Sequence, residues 1–503
     1  MNRYTERIII VGGGTAGWLA ACSLRKSVPF AKITLIDKEI SESIGVGEAT
    51  LLNFKYFLKN LCDYSEVKIA NCLQHCEAVF KMGILYPDWG YEGNKIWHPF
   101  HFVDMLRENN HSPGLIDGWS HFQDFDIKNI STPYQHLDRV DWRNGLFAEH
   151  INAVKLVEYL KHDLTEVFDD KVEFIKSGVK NIERDDNGIS SLTLEDDSII
   201  TGDLYVDCTG FKSILKDKRD RVDTSDRLYV NTAVVHPVEY VDRDKELLPY
   251  TTAQAVDHGW IWKTPLQSRI GTGMVFNRSI TDVEDAKEYF CEHWDNRISP
   301  ENVRVIDWSP YYDTNQWDNN VVSIGLSAGF IEPLESTGIE LIIQGAMKLC
   351  QTLHGGYYNK QLSDHYNSLM RLQFEQCIDV VNMHYSISEK DTPFWNYVRD
   401  NYKESDTLKF YKDNMADANK PTMMKGSDDF VFGGGNWTYW MVQLGYPIAK
   451  KDYLIGKYKH RDGILTKDGL HDIMVHESNY IQGKDYCDCS ICDGKKIKRH
   501  GQE

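Results

Sequence analysis

The chain has 503 residues, more than one simple core usually supports, so a large module with a second, grafted region is expected. A hydrophobic share of 42% and a charged share of 26% suit a water-soluble globular chain, and a net charge of -19 excludes the basic stripe that a nucleic-acid-binding surface needs. No apolar run reaches membrane-spanning length, and the first strand begins within the first ten residues, which leaves no room for a signal peptide; a cytoplasmic location with no membrane partner is expected.

Arg7 to Asp37 reads as one strand, glycine turn, helix, strand unit. Ile8 to Val11 form a short β-branched run suited to a strand buried on both faces, and Gly12, Gly14 and Gly17 follow in G-x-G-x-x-G spacing. Gly12 permits the tight turn, Gly14 lets the backbone approach a pyrophosphate, and Gly17 lets the helix opened by Thr15 and Ala16 pack on its strand. Ile33 to Ile36 form the next strand. Asp37, followed by Lys38, ends it twenty residues after Gly17, where a carboxylate usually receives a ribose hydroxyl. The unit is that of a dinucleotide site.

In SESIGVGEATLLNF, Gly45 and Gly47 make a flexible turn before a helix-like segment beginning near Thr50; it is either a plain loop or a cover for the cofactor. Tyr56 to Val79 show helical periodicity. Lys81 then sits in an apolar, strand-like run with Val79, Phe80, Met82, Ile84 and Leu85, an unusual place for an ammonium group, although a lysine alternating off a strand face is ordinarily exposed. Trp97, His98, Phe100, His101 and Phe102 form a dense aromatic cluster, which is either core or a sandwich for an aromatic ligand. Residues 103–145 lack regular periodicity and read as an insertion, and Glu149 to Phe168 recover helical spacing.

Asp203, Asp207 and Gly210 in GDLYVDCTGF surround a buried strand ending in a Thr209-Gly210 turn, the D-x-x-x-D-x-T-G pattern typical of the second nucleotide contact in flavoproteins. In GWIWKTPL, Trp260 and Trp262 are two apart and point the same way from a strand that closes at Pro265. Gly325 and Gly329 bracket a strand-to-helix passage, and Glu335, Ser336, Thr337 and Gly338 open a helix running from Ile339 past Met347. Such a helix start offers unpaired N–H groups to an anion, with a plain cap as the other reading. Aromatic helical stretches continue to a glycine turn carrying Trp437 and Trp440. Most of the eleven cysteines, such as Cys22, Cys62, Cys208 and Cys350, sit singly in apolar stretches as reduced core residues do. Cys487, Cys489 and Cys492 either bind zinc with a fourth ligand such as His500 or belong to a polar, mobile tail.

Taken in order, GGGTAGW (12 to 18), IGVGEAT (44 to 50), FKMGI (80 to 84), HPF (98 to 100), DCTGF (207 to 211), GWIWKTP (259 to 265), GLSAGFIEPLESTGI (325 to 339), HY (384 to 385) and TPFW (392 to 395) resemble the flavin-dependent tryptophan halogenases. Thr264 stands where that family usually has Ile before the proline. The resemblance, which runs from residue 7 to about residue 395, implies an α/β, FAD-binding Rossmann-like flavoprotein fold with an inserted substrate-binding region, and a mainly helical C-terminal region is expected after it. Its boundaries are a halogenase module over 1–385 with the insertion at about 90–145, a substrate-covering region over 386–480, and a tail over 481–503.

In that family reduced FAD and O2 oxidise a halide, and the hypohalous acid passes through an internal tunnel to an electron-rich arene. The resemblance therefore implies Lys81 as the residue that holds the oxidant and Glu335 as the catalytic carboxylate. It places Thr337 and Gly338 beside the halide, Trp260, Trp262 and Pro265 along the tunnel, and His98 and Phe100 on the substrate, to which Trp437 and Trp440 are added from their aromatic turn. The flavin falls to Gly12, Gly14, Thr15, Ala16, Gly17, Asp37, Lys38, Ile44, Gly47, Ala49, Asp207, Gly210, Gly325 and Ile339. No second glycine loop for NAD(P)H is visible, so a separate flavin reductase is the expected partner. An aromatic hydroxylase shares the flavin motifs but needs neither Lys81 nor Glu335, and a non-catalytic flavin module has no use for a lysine in an apolar run.

Overall fold

The computed structural model describes residues 2–38, 47–81, 83–93, 95–99, 148–168, 172–217, 220–248, 250–416, 431, 432, 437 and 440. They fall into two compact units. The first draws on Met1–Cys76, Ile151–Thr224 and Ser309–Glu375, the second on Glu77–His150, Ser225–Trp308 and Gln376–Glu503.

The first unit is built on a six-stranded sheet in the order Trp317–Asp318, Val321–Ser323, Leu204–Asp207, Arg7–Val11, Lys32–Asp37, Glu173–Lys176, all parallel except the first pair. Parallel strands need crossover elements that cover both faces, which is why Ile8, Ile10, Leu35, Leu204 and Val206 are fully buried apolar residues rather than an alternating set. The helices Thr15–Ser27 and Thr337–Leu353 pack together as two such covers. Register brings the carboxyl ends level: Val11 lies opposite both Ile36 and Asp207, and Asp207 opposite Ser323. At the other end Asp203 accepts the backbone N–H groups of Glu6 and Arg7 at 2.9 and 2.8 Å, which pins the start of the central strand.

The second unit holds a seven-stranded sheet in the order Arg304–Asp307, Thr232–Val235, Ile270–Phe276, Gly259–Pro265, Thr251–Val256, Gly83–Pro87, Lys95–Pro99. One of its faces, with Ile261, Met274 and Phe276, packs against Phe290 and Cys291 of the helix Val283–His293. Outside that sheet, Val79–Lys81 pairs antiparallel with Ala148–Ile151 as neighbours in a smaller, three-stranded one.

Two stretches depart from their sequence periodicity. Tyr56 to Val79 is not one helix: Asn53–Asn60 and Glu66–His75 are separated by Asp63 in the left-handed region (φ 63°) and by Ser65, whose hydroxyl caps the second helix through Lys68 N at 3.2 Å. Glu149 to Ile151, which read as the start of a helix, form a strand because Val79–Lys81 supplies a ladder, and the helix Ala153–His162 begins only after Asn152. The described cysteines, Cys22, Cys62, Cys208 and Cys350 among them, are buried and in no disulfide. No helix among the described residues is long and apolar enough to cross a membrane.

Candidate functional site

In the first unit the candidate residues gather at the carboxyl edge of the parallel sheet, where ligands bind in open α/β folds. Gly12 turns there with φ 108°, its N–H donating to Ile36 O at 2.9 Å, and a Cβ on it would lie 2.3 Å from Cys208 O. A Cβ on Gly17 would lie 1.9 Å from Gly12 O. These two glycines therefore make the turn and the helix packing possible. Gly14 differs, because a Cβ there would meet nothing within 4 Å. It is the exposed N-cap of Thr15–Ser27, φ -77°, with no side-chain cap on the helix N–H groups.

Asp37 sits beside this loop: a Cβ on Gly13 would come within 2.9 Å of its carboxylate Oδ2. Gly13 thus makes room for Asp37, a role that the G-x-G-x-x-G spacing leaves invisible. Gly325, φ 73°, approaches the first helical turn so closely that an added Cβ would lie 2.8 Å from Ala16 Cβ. Gly210, φ 70°, has open space where its Cβ would be. Gly47 is also in the left-handed region, φ 77°. The bare helix start, the open space at Gly14 and Gly210, and a carboxylate at the neighbouring strand end fit the pyrophosphate and ribose of FAD.

Asp207 is fully buried, and its carboxylate accepts from Thr209 N (3.0 Å) and Oγ1 (2.6 Å), Leu215 N (2.7 Å) and Ser327 Oγ (3.0 Å). It acts on the site through the turn it shapes, with Ser327, unnoticed in the sequence, sharing its one hydroxyl proton between Asp207 and Gly210 O at 3.1 Å. Lys38 is exposed and paired with Glu195. Ala49 is half-buried, and Ile44 lies outside the described residues.

The turn Pro333–Glu335 leads into the helix Thr337–Leu353 through Ser336, which has φ 58° and places no side-chain cap on the helix. Glu335 and Thr337 are fully buried, Ile339 nearly so. Thr337 Oγ1 is buried without a hydrogen-bond partner, and a Cβ on Gly338 would meet nothing within 4 Å. An uncapped helix start, an orphan hydroxyl and adjacent free space suit a small anion. One turn on, Glu340 accepts from Asn53 Nδ2 (2.8 Å) and Gln344 Nε2 (2.7 Å). Burial raises its carboxyl above the ordinary range, which limits the negative charge at this helix start.

The second unit holds Lys81 and the aromatic candidates. Lys81 is fully buried at the end of Val79–Lys81, where the ordinary expectation is exposure. Trp260 and Trp262 lie with ring centroids 6.2 Å apart, as their spacing on a strand requires. Trp260 Nε1 donates to Tyr385 OH at 3.1 Å, and Trp262 fits only because the paired residue is Gly273, whose Cβ would lie 2.2 Å from the indole. Pro265 is buried at the strand end. His98 packs on Trp440 with centroids 4.5 Å apart, and Trp440 meets Trp437 at 6.0 Å. All three are buried. Phe100, Cys487, Cys489, Cys492 and His500 lie outside the described residues, and among those described no cluster of metal-ligating side chains occurs. Glu335 and Lys81 belong to different units.

Comparison with known proteins gives a consistent result. The family profile described as tryptophan halogenase matches residues 7–459. The tryptophan 6-halogenase ThaL of Streptomyces albogriseolus is 29% identical over 442 residues, covering 81% of each chain. The tryptophan 7-halogenase RebH of Lentzea aerocolonigenes is 29% identical over 426 residues, 78% of this chain and 79% of that one. A flavin-dependent halogenase from Xanthomonas campestris superposes with a TM-score of 0.75 at 26% identity, covering 92% of this chain and 96% of that one.

Proposed function

The chain belongs to the tryptophan halogenase family and is a flavin-dependent halogenase, and from that premise we propose that it halogenates an electron-rich arene, an indole or a phenol, in the cytoplasm. The oxidant is hypohalous acid made from chloride, bromide or iodide, O2 and reduced FAD delivered by a separate reductase. The observation that carries this reading is the start of the Thr337–Leu353 helix, with its bare N–H groups, open space at Gly338 and the buried, partnerless hydroxyl of Thr337. An aromatic hydroxylase has no use for an anion site there, and that alternative is not favoured.

In this reading Gly12, Gly14, Thr15, Ala16 and Gly17 hold the pyrophosphate of FAD, Asp37 its ribose, and Gly47, Ala49, Gly210, Gly325 and Ile339 border the flavin. When bound and reduced, FAD would supply two electrons and two protons, by which O2, a halide and one further proton become hypohalous acid and water. Thr337 and the N–H of Gly338 hold the halide. Trp260, its indole fixed by Tyr385, and Trp262 wall the oxidant's path up to Pro265. Lys81 Nζ then holds the acid by hydrogen bonding. Full burial confines an otherwise unselective electrophile at the ammonium group. The arene gains the halogen as the acid's O–X bond breaks; Glu335 takes the proton from the ring carbon and passes it to the hydroxide, which leaves as water. His98, Phe100, Trp437 and Trp440 stack on the arene, and the region from residue 386 covers it.

The test is an assay of the purified chain with a flavin reductase, FAD and O2 against indoles, phenols and other arenes, with chloride, bromide and iodide in turn. Halogenated arene formed only when halide is present supports the reading. Hydroxylated arene formed equally with and without halide rejects it.

A further inference from the structure

His150 lies on Ala148–Ile151, whose antiparallel register with Val79–Lys81 sets Val79 opposite His150 and Lys81 opposite Ala148. Directly opposed residues share a face, so Lys81 and His150 project from the same side as diagonal neighbours. Both are fully buried. The imidazole has a partner at each nitrogen: Nδ1 is 3.1 Å from Pro265 O and Nε2 is 2.8 Å from Thr251 Oγ1. A carbonyl oxygen only accepts, so Nδ1 carries the proton and Nε2 accepts from the Thr251 hydroxyl.

The two partners matter for what they belong to. Thr251 begins the strand Thr251–Val256, and Pro265 ends the strand that carries Trp260 and Trp262. One ring thus joins the strand beside Lys81 to both of these. Glu149, opposite Phe80, projects from the other face of the pair. Burial holds the ring well below the ordinary imidazole range, and the positive charge of Lys81 pushes the same way.

We propose that His150 is a positioning residue for Lys81: a neutral imidazole, locked as the Nδ1–H tautomer by Pro265 and Thr251, which fixes the strand ends around the lysine and keeps a second cation away from its ammonium group. The proposal rests on the reading of Lys81 as the residue that holds the oxidant. Protonation at Nε2 would reverse the Thr251 bond and set two positive charges side by side in a buried place, displacing the Lys81 head group from the oxidant.

The experiment uses the full chain with reduced FAD, O2 and bromide, and follows trapped hypobromous acid and brominated arene in parallel from about pH 5 to pH 9, the range that spans imidazole titration. In His150→Gln and Thr251→Val, hypobromous acid forms at the parent rate, while arene product per reduced FAD consumed falls about 10-fold or more, the scale that small misplacements carry. In Thr251→Val the pH profile of arene product also departs from the parent's, because Nε2 has lost the hydroxyl that partners it in either protonation state. Thr251→Val is nearly isosteric and carries the test if His150→Gln does not fold. Folded variants with the parent product ratio and pH profile overturn the proposal, as does an equal fall in acid and arene, which marks a role in stability only. Lys81→Ala in the same assay separates the two failures. If it abolishes product while the His150 and Thr251 variants keep the parent ratio, only the role of His150 fails; if it keeps product, the role of Lys81 fails and that of His150 with it.

Discussion

The glycines of the Gly12–Gly17 loop should separate into two kinds when substituted. Gly14→Val places a side chain in space that no protein atom occupies, at an exposed residue with φ -77°, so folding should cost about 1 kcal/mol or less, mostly through the loss of a good N-cap residue. The same side chain stands between the helix N–H groups and the pyrophosphate. Losing two charge-assisted hydrogen bonds at about 1.5–3 kcal/mol each removes about 3–6 kcal/mol of binding, or roughly 10²–10⁴-fold in Kd. Gly12→Ala should do the reverse, since φ 108° and a Cβ 2.3 Å from Cys208 O combine left-handed strain with a backbone clash. That should cost more than about 3 kcal/mol of stability whether or not FAD is present. Urea denaturation of the apoprotein and titration of FAD fluorescence distinguish the two. A Gly14→Val protein that binds FAD with the parent Kd, or a Gly12→Ala protein as stable as the parent, would refute the assignment of the loop.

Lys81→Ala should still consume reduced FAD and O2 and release trappable hypohalous acid, while halogenated arene falls by orders of magnitude; parent-rate product in parallel assays would make the lysine structural. Glu335→Gln should keep the shape and remove the base, lowering arene halogenation by about 10²-fold or more without changing hypohalous acid release, and an unchanged rate would exclude it as the base. Trp440→Ala should raise the KM for the arene more than it changes acid formation, because it removes the ring packed 4.5 Å from His98; an unaltered KM counts against stacking there. His293, held down to about 4 by burial and then by Lys263, is neutral in the folded chain, whereas the unfolded chain takes up a proton near about 6.5. The unfolded state therefore binds more protons below that value, so this contribution is full above about pH 6.5 and is lost as pH falls to about 4, a change on the order of 3 kcal/mol. Urea melts across that window should show it, and His293→Leu should flatten the dependence; an equally steep variant would rule out His293 as its source.

The dinucleotide unit was legible from residue order because its signals are local. A β-branched run, glycines at fixed offsets and an acid at the next strand end are set by backbone sterics and by the length of one crossover, and they stand in the structure as read, at the level carboxyl ends of parallel strands. The helix start at Thr337 was legible for the same reason, and so was the common direction of Trp260 and Trp262. Periodicity failed where a partner from elsewhere in the chain decided the outcome: Glu149 to Ile151 carry helix-compatible spacing but become a strand because Val79–Lys81 offers a ladder. Other features depend on partners distant in sequence, which no window along the chain contains. Asp207 carries a flavoprotein pattern, yet only the folded chain shows its carboxylate spent on the turn and on Ser327. Gly13 became meaningful beside Asp37, and Gly273 beneath Trp262. Lys81 could be seen in an apolar run, but strand alternation leaves open which face is buried, and its complete burial was decided by tertiary packing. His150 carried no signal at all, since its chemistry consists of a carbonyl 115 residues away, a hydroxyl 101 residues away and a lysine across a strand pair, and those distances close only when the chain folds.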